Sequence, residues 1–251
     1  MPLRSGGLSR APPPVKAPRR CQDQPVSSKK KPAYQDVPDS SIRVDAWRRG
    51  YLTALEFLRI QAWKSANGSL AQLTLYTESE FEDVTKGVMA VISRWRTMGA
   101  PAPQDNGGWA QWKVDAGKAL DGDNSSPGLC WFTGLRHARA SAILAFLDPD
   151  TWPIIDRHAI RVVFGAASRT QDHPYEKVSN RIDVYESYAR QLVTAGRAAW
   201  DSNPPTMSIH DLDQRAMNVG KDQKTELRAR SVDGITTVAG LPATWTFLPV
   251  P

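Results

Sequence analysis

Cysteine and histidine are scarce in this 251-residue chain, which contains two cysteines and four histidines. Cys21 lies among basic residues and Cys130 lies in an apolar run, so the sequence predicts no disulfide framework. No CxxC or HxxxH spacing occurs, and we therefore expect no dedicated metal site. No other pattern in the sequence indicates a cofactor, and none is expected.

Long apolar runs are also missing from the sequence. No stretch of 18 apolar residues occurs, and the segment Met1–Arg20 lacks the apolar centre of a secretory signal. We therefore expect no membrane association, and a reducing cytoplasm is the simplest expected location.

Strand signals are sparse. No segment shows a sustained alternation of apolar and polar residues bounded by hairpin turns, and no internal repeat is visible. The only strand-like stretch, residues 234–250, is short. The sequence therefore predicts an all-α fold that ends in an irregular tail over residues 222–251.

Positive charge exceeds negative charge, which gives the chain a formal net charge of +6. This excess favours a polyanionic partner such as nucleic acid, although an anionic membrane surface would fit the charge equally well. Part of the excess lies in residues 1–38, which are rich in proline, serine, lysine and arginine and are predicted to form a disordered arm. The arm is either a solvated tail or a basic extension that attracts phosphate.

Nine tryptophans and a helical apolar periodicity indicate a packed helical domain over residues 39–221. Its first helix is expected to begin at Asp39-Ser40-Ser41, because these residue types favour helix N-termini. The apolar face of this first helical segment is predicted to consist of Val44, Trp47, Tyr51, Leu55 and Leu58.

Later segments repeat the helical periodicity. Thr77-Glu78-Ser79-Glu80 is a capping-box pattern that precedes an apolar stripe from Phe81 to Trp95. A shorter helix is predicted over residues 109–120, and another carries Ala140, Ile143, Leu144 and Leu147. The remaining helices are expected after Asp156, after Pro174 and over residues 208–219, with Gly220 ending the last of them.

The most informative window is residues 131–165, WFTGLRHARASAILAFLDPDTWPIIDRHAIRVVFG. It predicts a tight turn at Thr133-Gly134, a helix of small and apolar residues, a proline-containing loop, and Asp156 at the start of the next helix. This order resembles the helix-hairpin-helix superfamily of DNA glycosylases, and in particular bacterial proteins with an 8-oxoguanine-DNA-glycosylase-like fold. The pieces ASAILAFLDPD and PIIDRHA carry the resemblance, with AWKS at residues 62–65 and DLDQRAMNVGK at residues 211–221.

The resemblance implies a site made from the turn and the aspartate. Backbone N–H groups of the turn would hold a DNA phosphate at a helix N-terminus. Asp156 would be the catalytic residue: it would stabilise the oxocarbenium-like sugar as the base departs and orient the attacking water, after the nucleotide is flipped from the duplex. The implied DNA contacts are Gly134, Leu135, Arg136, His137, Ala138, Arg139 and Lys64, and the implied pocket residues are Trp63, Trp152 and His158.

The turn departs from the family's pattern in two ways. It reads TGLRH, where the family usually carries a second glycine and often a proline. The lysine nucleophile of lyase-competent members is replaced by Ala138, or by His137 after a one-residue shift, and neither side chain forms a Schiff base. The resemblance therefore implies an enzyme that releases the base with water and leaves the DNA backbone intact.

Simpler interpretations stand beside this one. Asp156 is also well suited to cap the helix that follows it, and Trp63 and Trp152 are also typical of ordinary core and loop packing. Three functions remain open at this point: a monofunctional DNA N-glycosylase acting on a damaged or modified base, a non-catalytic DNA-binding or lesion-reading module on the same fold, and a helical protein-interaction domain. The expected state is a monomer.

Overall fold

Helices form every regular element in the part of the chain that the computed structural model describes, which comprises residues 38–64, 70–164, 181–196 and 207–226. These ranges contain no strand, and their one extended pairing is an isolated bridge between Gly122 and Pro127. The prediction of an all-α fold is confirmed for these ranges. The predicted arm up to residue 37 and the tail from residue 227 lie outside the described residues.

The described α-helices follow one another in a simple order. They are α1 (Ser40–Arg49), α2 (Ala54–Lys64), α3 (Glu78–Ile92), α4 (Trp95–Met98), α5 (Asn106–Leu120), α6 (His137–Leu147), α7 (Arg157–Val163), α8 (Ile182–Gln191) and α9 (Ile209–Glu226). Short 3₁₀ helices lie at Ala71–Leu75 and Leu129–Trp131, and a π-helical turn, Leu192–Gly196, follows α8. None of the described helices combines the length and the apolar character that a membrane span requires.

Side chains cap three helix N-termini where the sequence predicts them. Asp39 accepts a hydrogen bond from the Ser41 N–H group at the start of α1, and Thr77 and Glu80 form a reciprocal capping box at the start of α3. Asp156 caps α7. Each cap satisfies an N–H group that has no partner within its helix, which is worth about 1 kcal/mol.

The first helical segment differs from its prediction. Gly50, in the left-handed region with φ 86°, ends α1, so the apolar face predicted from Val44 to Leu58 is interrupted by a turn. Val44 and Leu55 are exposed, and Phe57 is buried instead. The prediction was wrong because a single helical period was extended across two helices that have different buried faces.

Two helix ends also differ from their predictions. α5 begins at Asn106, earlier than expected, because the Asp105 side chain accepts from the Gly108 N–H group and caps it. The last helix continues through Gly220 to Glu226, so the predicted end at Gly220 is wrong. A glycine inside a helix costs only about 1 kcal/mol relative to alanine, and the neighbouring turns can outweigh it. Of the helix predicted after Pro174, the part from Ile182 onward is described and is helical.

The core is rich in aromatic side chains, as the tryptophan count indicates. The Trp112 ring stacks on Trp152 with 4.7 Å between ring centroids, and Tyr185 lies 5.2 Å from the same ring. Phe81 stacks on Phe132 at 4.7 Å. The most extensive helix contacts are α7 with α9, α3 with α5, α2 with α6 and α5 with α8.

Candidate functional site

Three buried side chains fix the loop that leads into Asp156. The Tyr185 hydroxyl donates to the Pro153 carbonyl oxygen at 2.7 Å. Asp213 accepts from the Ile154 N–H group at 3.2 Å, and the Ser141 hydroxyl oxygen accepts from the Ile155 N–H group at 3.1 Å. The backbone that positions Asp156 is therefore held from α6, α8 and α9.

The carboxylate of Asp156 has a partner on each oxygen. Oδ1 accepts from the His158 N–H group at 2.9 Å, and Oδ2 accepts from Nζ of Lys64 at 3.1 Å. The Asp156 side chain is 21% exposed, and the Lys64 side chain is 8% exposed. Burial alone would raise the pKa of Asp156, but the Lys64 ammonium and the His158 N–H group outweigh burial and hold this pKa below its ordinary value. The carboxylate is therefore charged at neutral pH.

Further titratable groups surround this ion pair. Asp213 is buried and accepts a hydrogen bond from the Tyr188 hydroxyl; burial raises the pKa of Asp213 to about 7, although the Tyr188 bond and the Lys64 charge oppose the rise. Burial lowers the pKa of His210, and the Lys64 charge lowers it further. We call Lys64, Asp156, Tyr188, His210 and Asp213 the Asp156 cluster. It joins the end of α2 to α7, α8 and α9.

The predicted turn before α6 has a backbone that requires glycine. Gly134 has φ +84°, and a Cβ atom at this position would lie 2.2 Å from Oε1 of Gln72. The Tyr76 hydroxyl secures the turn, because it accepts from the Thr133 N–H group at 2.8 Å and donates to the Thr133 hydroxyl at 2.9 Å.

The N-terminus of α6 follows this turn and lacks a side-chain cap. Its N-cap residue is Arg136, which is exposed and makes no capping hydrogen bond. Arg139 reaches back to donate to the Gly134 carbonyl oxygen at 3.3 Å, and its Nε and Nη2 atoms are buried without a hydrogen-bond partner. Uncapped N–H groups at a helix N-terminus attract an anion, and Arg136 and Arg139 add positive charge at this end of the helix.

Helices α2 and α6 connect the turn to Asp156. The Gln61 side chain in α2 donates to the Arg139 carbonyl oxygen at 2.9 Å, and Lys64 at the end of α2 donates to Asp156. On α6 itself, Ser141 bonds to the residue before Asp156. The turn precedes α6, and the backbone that leads to Asp156 is bonded to Ser141 in the N-terminal half of the same helix.

The three predicted pocket residues have different surroundings in the structure. Trp152 is fully buried and stacked on Trp112, so it belongs to the core and does not form the wall of a base pocket; this corrects the sequence-based assignment. Trp63 is half-buried and packs against a small apolar cluster of Ala142, Ala145 and Ile154, the last of which lies in the loop that leads into Asp156. His158 follows Asp156 closely and donates its backbone N–H group to that carboxylate.

The predicted DNA contacts also divide into accessible and buried side chains. Leu135 is in the core, Ala138 packs against it, and His137 is 2% exposed with Nε2 2.8 Å from Oδ1 of Asp121. The Leu135 N–H group donates to the Phe132 carbonyl oxygen at 3.0 Å, so only the backbone N–H groups of His137 and Ala138 are suited to hold a phosphate. Lys64 is buried in its ion pair with Asp156, which corrects its assignment as a surface contact.

Sequence reasoning missed the partners of Asp156. The sequence predicts Lys64 as a DNA contact and predicts no role for Asp213 or Ser141, yet all three lie in the short pieces that carry the resemblance (AWKS, DLDQRAMNVGK and ASAILAFLDPD). These short pieces were the sequence signal from which the partners of Asp156 could have been predicted. No family model, curated protein or solved structure matches the chain.

Proposed function

We propose that this chain is a monofunctional DNA N-glycosylase of the helix-hairpin-helix type, acting on a damaged or modified base. The observation that carries the proposal is the charged carboxylate of Asp156, joined through α2 and α6 to an uncapped helix N-terminus behind the turn at Gly134. The order of turn, helix, loop and capping aspartate agrees with the resemblance seen in the sequence.

The proposed chemistry centres on the charge of Asp156. As the bond between the sugar C1′ and the base nitrogen breaks, positive charge develops on the sugar, and a nearby anionic carboxylate stabilises it. Water then forms the new bond to C1′, its proton passes to the carboxylate or to solvent, and the base leaves with a proton. Lys64 and the His158 N–H group hold the carboxylate in one orientation, so little reorganisation is needed during the reaction.

Lys64 brings an amine close to the proposed reaction centre, although the position after the turn that carries lysine in lyase-competent members of the family holds Ala138 here. An ammonium that donates to a charged carboxylate has no free electron pair with which to attack a sugar. We therefore assign Lys64 to holding Asp156 and not to Schiff-base formation. Treatment of a reaction mixture with borohydride should trap no covalent protein–DNA complex, whereas trapping that is lost in Lys64→Gln would assign the opposite role.

The turn supplies the other half of the proposal. Phosphate binding at helix N-termini needs free backbone N–H groups and favours added positive charge, and Arg136 and Arg139 provide that charge here. A phosphate held at this place would position the duplex against the same half of α6 that carries the Asp156 loop. The flipping of one nucleotide costs a few kcal/mol, roughly, and is least costly for a damaged base.

The test compares wild type with Asp156→Asn on duplexes that carry assorted damaged and modified bases. Heating in alkali converts abasic sites to strand breaks, so breaks after incubation report base release. We expect Asp156→Asn to lose this activity and to retain DNA affinity, and the control Asp150→Asn, an exposed residue of the preceding loop, to keep both. Equal base release by wild type and Asp156→Asn would remove Asp156 from the mechanism.

One observation favours a second candidate, a non-catalytic DNA-binding or lesion-reading module. Both oxygens of Asp156 already have protein partners, as in an ordinary helix cap stabilised by an ion pair. This candidate predicts affinity for DNA with a steep salt dependence, about 0.9 in log K per phosphate neutralised, and no base release from any lesion. Failure to bind DNA even at low salt would exclude both candidates and favour a protein-interaction domain.

A further inference from the structure

A second group of chemically reactive side chains lies between the end of α5 and the start of α6. Asp121 follows the last residue of α5, Cys130 lies in the 3₁₀ helix Leu129–Trp131, and His137 is the first residue of α6. One ligand atom from each of the three lies within 4.8 Å of the other two. The described chain thus brings a thiol, an imidazole and a carboxylate together from three separate elements.

The spacing of these atoms is close to that of a metal site. Around a tetrahedral Zn²⁺ ion, bond lengths of about 2.0–2.3 Å place neighbouring ligand atoms about 3.3–3.6 Å apart. Nε2 of His137 and Oδ1 of Asp121 are already 2.8 Å apart. Binding of a Zn²⁺ ion between these two atoms would move them apart by about 0.5 Å.

The surroundings of the three groups favour a cation. His137 is 2% exposed and its Nδ1 atom has no hydrogen-bond partner, while the Asp121 side chain is 50% exposed. A divalent ion placed between these groups would stabilise the Cys130 thiolate and neutralise the Asp121 carboxylate.

We propose that Asp121, Cys130 and His137 bind one divalent ion of the Zn²⁺ class. Thiolate, imidazole and carboxylate are the three protein ligands, and water occupies the fourth position on the exposed side next to Asp121. Mixed sulfur, nitrogen and oxygen donors suit Zn²⁺, whereas Mg²⁺ and Ca²⁺ prefer oxygen alone. Binding replaces the thiol proton by the metal and releases that proton to solvent. The ion ties α5 to α6 immediately after the turn at Gly134, and the proposal does not depend on the proposed function.

Cobalt titration of the full, tag-free chain tests this site. The reduced protein is freed of metal with a chelator and titrated with Co²⁺, which substitutes for Zn²⁺ and is visible by absorption. We expect one equivalent to produce a thiolate-to-cobalt charge-transfer band together with the visible bands of a tetrahedral site, and Zn²⁺ to displace both. Cys130→Ser should lose the charge-transfer band, and Asp121→Asn should weaken Co²⁺ affinity by about tenfold or more.

Matched controls separate this site from other donors in the chain. Cys21→Ser keeps Cys130 as the remaining cysteine, and Asp123→Asn alters an aspartate two positions from Asp121; both should leave the spectrum and the affinity unchanged. Circular dichroism of each metal-free variant checks that it is folded, and the buried His137 is not needed as a test position. Absence of the charge-transfer band at one equivalent of Co²⁺, or its persistence in Cys130→Ser, would overturn the proposal.

Discussion

At the scale of single residues, Lys64 and Asp156 form a largely buried ion pair between the end of α2 and the start of α7. Both charges are largely removed from water, which costs free energy that their attraction and the bond from His158 offset. Removal of one partner leaves the other charge buried and uncompensated. A buried pair of this kind is therefore much more sensitive to single substitutions than to removal of both charges.

Lys64→Met should lower the free energy of unfolding by about 2 kcal/mol at neutral pH, less than a fully buried pair because Asp156 keeps some contact with water. The double variant Lys64→Met/Asp156→Asn should lose less than the sum of the single changes. Since the folded pKa of Asp156 is lowered, the wild-type contribution is present above the ordinary value of 3.8 and is lost as pH falls through the folded value. Urea unfolding measures these quantities.

The matched control for that measurement is the exposed pair of Lys118 and Asp123, whose side chains are 46% and 32% exposed. Lys118→Met should cost less than about 1 kcal/mol, because water and salt screen an exposed pair. If the Lys64 and Lys118 variants lose the same small amount of unfolding free energy, burial does not strengthen the Lys64–Asp156 pair.

Asp213 should show the opposite dependence on pH. Its folded pKa of about 7 is raised from an ordinary value of 3.8, so between these values the folded chain binds a proton that the unfolded chain lacks. Stability therefore decreases as pH rises through this range. Asp213→Asn keeps an oxygen that accepts from the Ile154 N–H group but does not titrate, so its loss of stability over the range should be smaller than that of wild type. Urea midpoints at a series of pH values measure this, and parallel curves for the two proteins would contradict it.

At the scale of elements, local signals predicted what local chemistry decides. The capping box at Thr77 and the apolar stripe of α6 were confirmed, because an N-cap and a helical face each depend on residues within a few positions. The prediction of one apolar stripe across Gly50 was wrong, because a glycine turn separates two helices that bury different faces. Asp156 was found as a capping position, but its partner Lys64 lies 92 residues away, a distance over which periodicity carries no information.

The candidate metal site shows the same limit. The sequence predicts no metal site because Asp121, Cys130 and His137 have none of the usual ligand spacings. They meet only because the chain between α5 and α6 folds back on itself, as the bridge between Gly122 and Pro127 shows. Proximity of this kind is a result of tertiary packing.

The turn before α6 is the element whose geometry is easiest to test. Gly134→Ala should reduce the free energy of unfolding by about 1–2 kcal/mol, because alanine is disfavoured at φ +84° and its Cβ atom meets the Gln72 side chain. It should also weaken DNA binding, since the N–H groups after the turn are displaced. Thermal unfolding and titration with labelled duplex measure the two effects.

Gly107→Ala is the matched control for that turn. Gly107 lies in the first turn of α5, and a Cβ atom there has only an ordinary contact of 3.7 Å with Asp105. This variant should be neutral or slightly stabilising and should leave DNA affinity unchanged, because alanine favours the helix. An unchanged affinity in a folded Gly134→Ala variant would show that the turn does not hold phosphate.

At the scale of the whole molecule, the charged groups used in the proposed function lie at the ends of three helices. Lys64 ends α2, Asp156 precedes α7, and Arg136 precedes α6 itself. Helix ends leave unpaired backbone groups, and polar side chains are favoured at such places. In the described part of the chain, an apolar helical core thus supports charged groups at helix ends without any strand.

The excess positive charge of the chain, +6, makes nonspecific attraction to DNA expected, so affinity alone does not locate the binding face. The slope of log K against log salt counts neutralised phosphates and is a sharper measure. Arg136→Ala should lower the magnitude of this slope by about 1 and weaken binding to all duplexes alike, because a phosphate contact carries no base preference. Arg48→Ala removes an exposed arginine of α1 with the same loss of net charge and should leave the slope unchanged. If the two variants change the slope equally, the chain binds DNA through its overall charge, and the turn at Gly134 has no special part in that binding.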